Sequence, residues 1–185
     1  TLCYHLANIH RHALVGETQG RLQWRSRDEA RGVPKIGMLL QNPENQIFST
    51  TVREEIGFGL PEDANGRIAS ALEAVGLSGY ENRETASLSL GQKQRVIFAA
   101  FLATRPEVLI LDEPTNSLDS PTADRLFNLL LNLNLTTVIV EHDLERIAGW
   151  ADRVVEMDGG RVVGSGHPGA WFPQSRYAPR AFRVA

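Results

Sequence analysis

Residues 108–119, with the sequence Val-Leu-Ile-Leu-Asp-Glu-Pro-Thr-Asn-Ser-Leu-Asp, decide the fold of this chain. Four apolar residues are followed at once by two carboxylates, Asp112 and Glu113. A short continuous Val/Leu/Ile run is typical of a buried strand in a parallel sheet, and ligands bind beyond the carboxyl ends of such strands. There, one carboxylate can hold Mg²⁺ while its neighbour orients or deprotonates an attacking water. The alternative is an ordinary polar turn, because Pro, Asn and Ser follow.

Two further apolar runs predict strands that also end in polar residues. Residues 35–40 stop at Gln41, and residues 136–140 stop shortly before His142. Both side chains would then stand at crevice positions, where a histidine could hydrogen-bond a phosphate or a water. An Asn/Pro turn after the first strand and a surface histidine after the second remain the simpler alternatives.

Two capping boxes mark the starts of predicted helices. Thr51 with Glu54 begins one helix, and Ser89 with Gln92 begins a longer one that must end before a proline. The N-terminus of the second helix is either a plain helix cap or an anion site, because it offers N–H groups and a positive dipole end. Since strands alternate with helices, the sequence predicts an α/β fold with a mostly parallel sheet and a helical insertion over about residues 50–105.

Other local patterns predict smaller elements near the chain start and at two helix caps. Apolar spacing in residues 1–9 predicts a short helix, and residues 20–24 could form a strand. Asn65 is predicted to cap the helix that follows it. Ser120 is predicted to do the same, because a proline comes directly after it.

The C-terminal part contains one clear pattern. Val-rich segments on either side of an Asp-Gly-Gly turn, within residues 153–163, predict a β-hairpin. The tail that follows is rich in Gly and Pro, and its aromatic residues Trp171 and Phe172 are expected to be exposed.

The composition excludes several classes of protein. With 185 residues, 42% of them hydrophobic and 22% charged, the chain has ordinary globular composition and suffices for one α/β domain. Its formal net charge of -3 argues against an electrostatic nucleic-acid binder. The single cysteine, Cys3, allows no internal disulfide, and no apolar run approaches the roughly 18 residues that span a bilayer. We therefore expect a cytoplasmic protein with no nucleic-acid partner.

The order and spacing of these motifs resemble the nucleotide-binding domain of ABC-type ATPases over nearly the whole chain. In chain order the motifs are Gln41 after a strand, Leu88-Ser-Leu-Gly-Gln92, Val108-Leu-Ile-Leu-Asp-Glu113, Ser117-Leu-Asp119, and His142 after a strand. The resemblance implies a mostly parallel α/β fold of the P-loop NTPase (ABC ATPase) type. Residues 1–185 would be a single, partial nucleotide-binding domain with a helical signature subdomain at about 50–105. It also implies ATP hydrolysis, with ATP and Mg²⁺ as cofactors.

Four residues carry hydrolytic roles by this resemblance. Gln41 resembles the Q-loop glutamine, which senses Mg²⁺ and the attacking water. Asp112 resembles the Walker B carboxylate, a metal ligand, and Glu113 resembles the catalytic base. His142 resembles the switch histidine near the γ-phosphate. We therefore expect Glu113, His142 and Gln41 to be catalytic, with Asp112 and Gln41 at the metal.

The signature and D-loop motifs imply nucleotide contacts between two subunits. Ser89, Gly91 and Gln92 resemble the signature residues that contact the γ-phosphate of ATP held by the opposite subunit. Asp119 resembles the D-loop aspartate at the dimer interface. Leu90 departs from the pattern, because the family usually has Gly there, and this change is either harmless or the mark of a weaker site. The expected working unit is a head-to-tail dimer, homo- or heteromeric, that closes on two ATP molecules.

A second departure is the absence of a G-x-x-x-x-G-K-[ST] phosphate loop from the sequence. Thr1 and Leu2 resemble the residues that follow the lysine and first hydroxyl residue of that loop, so Thr1 is expected to be a nucleotide-binding position. We interpret the chain as truncated at its N-terminus. As it stands, it is expected to bind ATP poorly and not to hydrolyse it.

A narrower resemblance concerns residues 41–59 and Gly91-Gln-Lys-Gln-Arg95, which are similar to the energy-coupling-factor importers of vitamins and metal ions. In that group the residues after the Q-loop contact a membrane-embedded transporter subunit, which places the ATPase peripherally on the inner face of the membrane. Two alternatives stay open: a soluble ABC-type ATPase that acts on nucleic acid or the ribosome, and a non-catalytic remnant. Relatives of the first kind would show a long coiled coil between the Q-loop and the signature, a zinc-ligand cysteine set or a basic linker, and the sequence shows none of these.

Overall fold

The structure is a computed structural model that describes residues 2–7, 19–20, 22–24, 34–133, 135–175, 177 and 179. The chain divides into two compact units, residues 1–140 and residues 141–185. Each unit is described separately below.

A parallel three-stranded sheet forms the centre of the first unit. Its middle strand is β2 (Val108–Asp112), which lies between β1 (Ile36–Leu39) and β3 (Thr136–Val140). Both pairings are parallel, with Val108 opposite Ile36 on one side and Thr136 on the other. The first four residues of β2 are buried and Asp112 is only partly so. The predicted mostly parallel α/β sheet is therefore confirmed, and its middle strand ends at the predicted carboxylate.

Helices cover this sheet and form the segment between β1 and β2. The helix that precedes β1 is α1 (Leu2–Leu6). Between β1 and β2 lie α2 (Val52–Gly57), α3 (Asn65–Ala74) and α4 (Leu90–Thr104), and α5 (Ser120–Asn132) joins β2 to β3. The longest helix, α4, packs against α2 and α3 and contributes Phe98 to the core, while α5 contributes Phe127. Single 3₁₀ turns occupy Pro43–Asn45 and Thr85–Ser87.

Both capping boxes are confirmed, whereas two other predicted caps are wrong. Thr51 and Glu54 exchange the expected side-chain bonds at the start of α2. Asn65 is the first helical residue of α3 rather than its cap, and the preceding alanine provides no side-chain bond. At α5 the cap is Asp119 instead of Ser120, because the Asp119 Oδ1 atom accepts a hydrogen bond from the Thr122 amide over 2.8 Å.

The start of the chain is helical over a shorter range than predicted. Helix α1 ends at Leu6, and residues 8 and 9 of the predicted helix lie outside the described residues. No strand forms at residues 22–24, so the described part of that prediction is wrong. There the Trp24 indole donates a hydrogen bond to the Leu6 carbonyl over 3.1 Å, which ties this segment to the end of α1.

The second unit is built on the predicted β-hairpin. It contains α6 (Leu144–Ile147), β4 (Val154–Asp158), β5 (Arg161–Gly166) and α7 (Pro168–Trp171), followed by a 3₁₀ turn at Phe172–Gln174. The strands pair antiparallel, and Gly159 and Gly160 turn between them with positive φ angles of 54° and 77°. The expectation of exposed aromatics is wrong for this unit. Phe172 is only 2% exposed, and the Trp171 indole donates to Glu156 Oε2 over 2.8 Å.

Candidate functional site

Glu113 begins the loop after β2 in a left-handed backbone conformation, with a φ angle of 49°. Its amide donates to the Val140 carbonyl over 2.9 Å, which continues the hydrogen-bond ladder between β2 and β3 by one residue. A left-handed conformation costs a non-glycine residue about 1–2 kcal/mol, so the surrounding contacts must hold it. Because of this conformation, the Glu113 side chain does not continue the alternating side-chain pattern of β2. It lies at the carboxyl end of the parallel sheet.

The Glu113 carboxylate accepts two side-chain amides. Gln41 Nε2 donates to Glu113 Oε2 over 2.7 Å, and Asn116 Nδ2 donates to the same oxygen. Gln41 was predicted at this edge from the end of the first strand. Sequence reasoning did not single out Asn116 as a site residue, because asparagine in this Pro-Thr-Asn-Ser segment is typical of a turn. These two neutral donors fix the orientation of the carboxylate.

A second glutamine sets the path of the chain around Gln41. Gln46 Oε1 accepts the Leu40 amide over 3.0 Å, and Gln46 Nε2 donates to the Met38 carbonyl over 2.7 Å. The Gln46 side chain therefore pairs with the backbone at the end of β1, as the backbone of a neighbouring strand would. This arrangement folds residues 41–46 back and presents Gln41 toward the loop after β2. Sequence reasoning missed Gln46, although a glutamine five residues after Gln41 in a Pro/Asn-rich turn offers amide groups for this purpose.

Asp112 is in contact with the only cysteine of the chain. Burial raises the pKa of the Cys3 thiol from 9.0 to about 11, and the nearby Asp112 carboxylate, which accepts a hydrogen bond from the thiol, adds to the shift. The thiol is therefore neutral at physiological pH. It donates its proton in a hydrogen bond to the Asp112 carboxylate at the end of β2.

The predicted signature residues form the N-terminus of α4. Ser89 Oγ accepts the Gln92 amide over 3.3 Å, and Gln92 Oε1 accepts the Ser89 amide over 2.9 Å. The Gln92 side chain also donates to the Tyr80 hydroxyl over 3.3 Å. The Arg83 guanidinium carbon stands 4.0 Å from the centre of the Tyr80 ring. Gln92 thus holds the helix start and the preceding segment together, which is a positioning role within one chain.

Gly91 lies against the loop that follows Glu113. A Cβ atom at this position would stand 2.8 Å from the Ser117 carbonyl oxygen, so the close approach requires glycine. Leu90, which departs from the family pattern, is 42% exposed at the first turn of α4. The capping box at the start of α4 is formed with leucine at this position.

Asp119, His142 and Thr1 are the remaining predicted site residues. The carboxylate of the exposed Asp119 caps α5, and its hydrogen bonds to Thr122 hold its pKa below the ordinary value. His142 is an exposed residue of the second unit, two positions beyond the end of β3 along the chain. Its amide donates to the carboxylate of the neighbouring Glu141. Thr1 lies outside the described residues. The roles expected for these residues stay predictions.

The oxygen atoms at this edge of the sheet suit Mg²⁺ bound together with a nucleotide. Among the described residues, no three His, Cys, Asp or Glu side chains form a ready metal cluster. Mg²⁺ in phosphate-transfer sites takes one or two carboxylates and completes its shell with water and phosphate oxygens. Asp112 and the Gln41 amide oxygen provide groups of that kind, so the residues present fit the ion.

Also within the described ranges, no helix has the length and apolar character to cross a bilayer.

Comparison with known proteins gives a consistent result. A family model described as "ABC transporter" matches residues 1–116. The chain is 44% identical over 156 residues to the energy-coupling factor transporter ATP-binding protein EcfA of Methanothermobacter thermautotrophicus, covering 80% of this chain and 50% of that protein. It is 39% identical over 150 residues to EcfA1 of Lactobacillus delbrueckii subsp. bulgaricus, covering 76% and 53%. The chain thus spans about half the length of these curated relatives.

Solved structures agree in fold. CbiO1 from Clostridium perfringens, part of the ABC transporter complex cbiONQ, is 38% identical with a TM-score of 0.65, covering 75% of this chain and 59% of that one. An ATP-binding cassette solved as a dimer in a post-hydrolysis state with ADP and Pi is 29% identical, also with a TM-score of 0.65. That match covers 72% of this chain and 63% of the other.

Proposed function

Since this chain belongs to the ABC transporter family, as its motifs predict, we propose that it forms the hydrolytic part of the ATP-binding subunit of an energy-coupling-factor importer for a vitamin or metal ion. The observation that carries this proposal is the hydrogen bond from Gln41 Nε2 to Glu113 Oε2. It joins the ends of two neighbouring parallel strands through the side chains that the hydrolysis of ATP needs. The names of the EcfA relatives support the type of transporter.

Glu113 is the general base in this proposal. Its carboxylate accepts a proton from the water that attacks the γ-phosphorus, while the amides of Gln41 and Asn116 hold the carboxylate in place. Asp112 and the Gln41 amide oxygen would hold Mg²⁺, which neutralises phosphate charge when bound. His142 is proposed to donate to the γ-phosphate, where it would stabilise charge that develops in the transition state.

The N-terminus of α4 is proposed to serve the nucleotide of a second subunit. Ser89 caps a 15-residue helix whose first turn contains Gly91 and Gln92, and the positive dipole end of that helix favours a phosphate. Asp119 and the signature residues would then face a partner ATPase subunit in a head-to-tail dimer, whereas Thr1 would belong to the nucleotide site of its own chain. We also propose that both units of the chain belong to one nucleotide-binding domain.

The membrane partner is proposed to dock beside the Q-loop. Phe48 and Phe58 are 66% and 67% exposed, and their rings meet edge to face with centroids 4.9 Å apart. Glu55, which is buried, accepts the Phe48 amide over 3.2 Å and the Ser49 amide over 2.8 Å, so the loop that carries Phe48 is fixed. A rigid exposed aromatic pair is typical of a binding surface. It would place the chain at the inner face of the membrane.

The test compares two proteins for ATP binding and hydrolysis. One is the 185-residue chain, and the other is an extended chain in which the N-terminal segment of the Methanothermobacter EcfA relative precedes Thr1. Because the sequence contains no phosphate loop, we expect turnover only in the extended chain. The matched control is the extended chain with the lysine of the grafted phosphate loop changed to alanine, which should be inactive.

The outcomes separate the proposal from its alternatives. Turnover by the extended chain that disappears in the lysine control supports an ABC ATPase. Absence of turnover and of ATP binding in a folded extended chain contradicts the proposal and favours a non-catalytic module. Turnover stimulated by RNA or ribosomes instead would favour the soluble type of ABC ATPase.

A further inference from the structure

Gln94 is a buried polar residue whose role the site described above leaves open. It lies on α4, three residues after Gly91, and is 2% exposed. Its Nε2 atom donates to the carbonyl of Pro114, the residue directly after Glu113. Its Oε1 atom is buried and has no hydrogen-bond partner in the part of the chain that the structure describes. A buried polar atom without a hydrogen-bond partner lowers the stability of the fold, so stability alone does not explain a glutamine at this position.

The loop from Pro114 to Leu118 touches α4 at two points one helical turn apart. Gln94 holds the Pro114 carbonyl, and Gly91 lets the Ser117 carbonyl approach the backbone of α4. Inside the loop, the Asn116 amide donates to the Glu113 carbonyl over 3.3 Å, and the Leu118 amide donates to the Thr115 carbonyl over 3.0 Å. The loop is therefore supported from α4 at both of its ends.

We infer that Gln94 is a positioning residue that holds the loop after Glu113 and so keeps the Asn116 amide on the Glu113 carboxylate. Glu113 has a left-handed backbone, which persists only where neighbouring contacts maintain it. The Pro114 carbonyl belongs to the next residue, so a hydrogen bond to it restrains the chain directly beside that strained position. Asn116 follows two residues later and reaches Glu113 only while the loop keeps this path.

This inference rests on the proposed function, because it assigns Gln94 to the positioning of the proposed base. It adds a connection within one chain between the signature helix and the catalytic carboxylate. That connection is separate from the contact proposed between the signature and the ATP of a second subunit. A change in the position of α4 would be transmitted to Glu113 through Gln94 and Pro114.

The experiment uses Gln94→Met, which keeps the length of the side chain but cannot donate. In the 185-residue chain, amide hydrogen exchange at Asn116 and Leu118 is expected to accelerate at least tenfold, with Ala123 in α5 unchanged as an internal reference. In the extended chain, kcat is expected to fall at least tenfold while KM for ATP stays within twofold. Thr104→Val is the matched control, because it removes the Thr104–Ala100 hydrogen bond from the far end of the same helix.

Either of two results would overturn the inference. Unchanged exchange at Asn116 and Leu118 would show that Gln94 does not hold the loop, and faster exchange with an unchanged kcat would show that the loop does not position Glu113. If Gln94→Met does not fold, Gly91→Ala tests the same loop from its second contact and should accelerate the same amides. If the unsubstituted extended chain has no turnover, the proposed function fails, and the exchange data still decide whether Gln94 holds the loop.

Discussion

Lys93 Nζ lies 2.6 Å from Glu44 Oε1, so a salt bridge connects α4 to the 3₁₀ turn that follows Gln41. The lysine side chain is 14% exposed and the glutamate 56%. Lys93 comes four positions after the helix cap Ser89, and Glu44 comes three positions after Gln41. The same short segment of chain thus contacts Glu113 through Gln41 and the signature helix through Glu44.

This salt bridge is expected to make a small contribution to stability. Exposed ion pairs are worth about 0.2–1 kcal/mol, and water around Glu44 screens this one. A double-mutant cycle of Lys93→Met and Glu44→Gln, measured by urea unfolding, should therefore give a coupling energy below about 1 kcal/mol that decreases in 1 M NaCl. A coupling energy of several kcal/mol that salt leaves unchanged would contradict the exposed geometry.

Glu113→Gln is expected to abolish turnover in the extended chain while ATP binding persists. The amide side chain cannot accept the proton of the attacking water, and loss of a general base costs about 10²–10⁴-fold in rate. Steady-state hydrolysis and sedimentation with ATP measure the two effects, and ATP-bound dimers should accumulate. Asp124→Asn, an exposed carboxylate on α5, is the matched control. Undiminished turnover in Glu113→Gln would remove Glu113 from its role as the base.

His142→Ala is expected to lower kcat in the extended chain by about 10²–10³-fold, the usual loss when one donor to a transition-state charge is removed. The unfolding midpoint should hardly change, because the side chain is exposed and surface substitutions are usually neutral. His167, which caps α7 through its Nδ1 atom, offers a control histidine. A rate near that of the parent would show that His142 is an ordinary surface residue without a role in hydrolysis.

The exposed aromatic pair is expected to contribute little to folding. Replacing both Phe48 and Phe58 by serine should change the free energy of unfolding by less than about 1.5 kcal/mol, the upper range for the ring contact itself. Phe98→Ser, at a residue that is 1% exposed, should cost at least about 3–5 kcal/mol because a large buried side chain is removed. Urea unfolding of both variants measures the contrast. A loss at the surface pair as large as at Phe98 would mean that the pair is part of the core.

The sequence predicted the sheet well because its signal is local. A continuous apolar run bounded by turn residues sufficed for β2, and the carboxylates at its end followed from the general position of ligand sites in parallel sheets. Gln41 was placed at the same edge by the same rule. Its hydrogen bond to Glu113 depends on how Gln46 folds the loop of residues 41–46. The periodicity of apolar residues in the sequence contains no signal for that fold.

Long-range contacts explain what the sequence did not predict. Gln94 stands among polar neighbours, Gln92-Lys93-Gln94-Arg95, and looks like part of an exposed face. Its helical spacing to the buried Ile97 and Phe98 was the available signal that it points inward. The burial of Phe172 had no local signature in the sequence. Of two adjacent cap-forming residues, Asp119 and Ser120, only the path of the preceding loop decides which one caps α5.

Asp119 predicts a pH dependence of stability whose sign follows from its pKa. The hydrogen bonds to Thr122 lower that pKa below 3.8 in the folded chain, so the unfolded state binds the proton more readily. The contribution is fully present above the unfolded pKa and is lost as the pH falls below about 4 through the folded pKa. Asp119→Asn retains a good helix cap but cannot titrate. Thermal unfolding between pH 2 and 7 should therefore show a shallower acid decrease for Asp119→Asn than for the parent chain, and identical acid profiles would mean that the cap does not stabilise the ionised form.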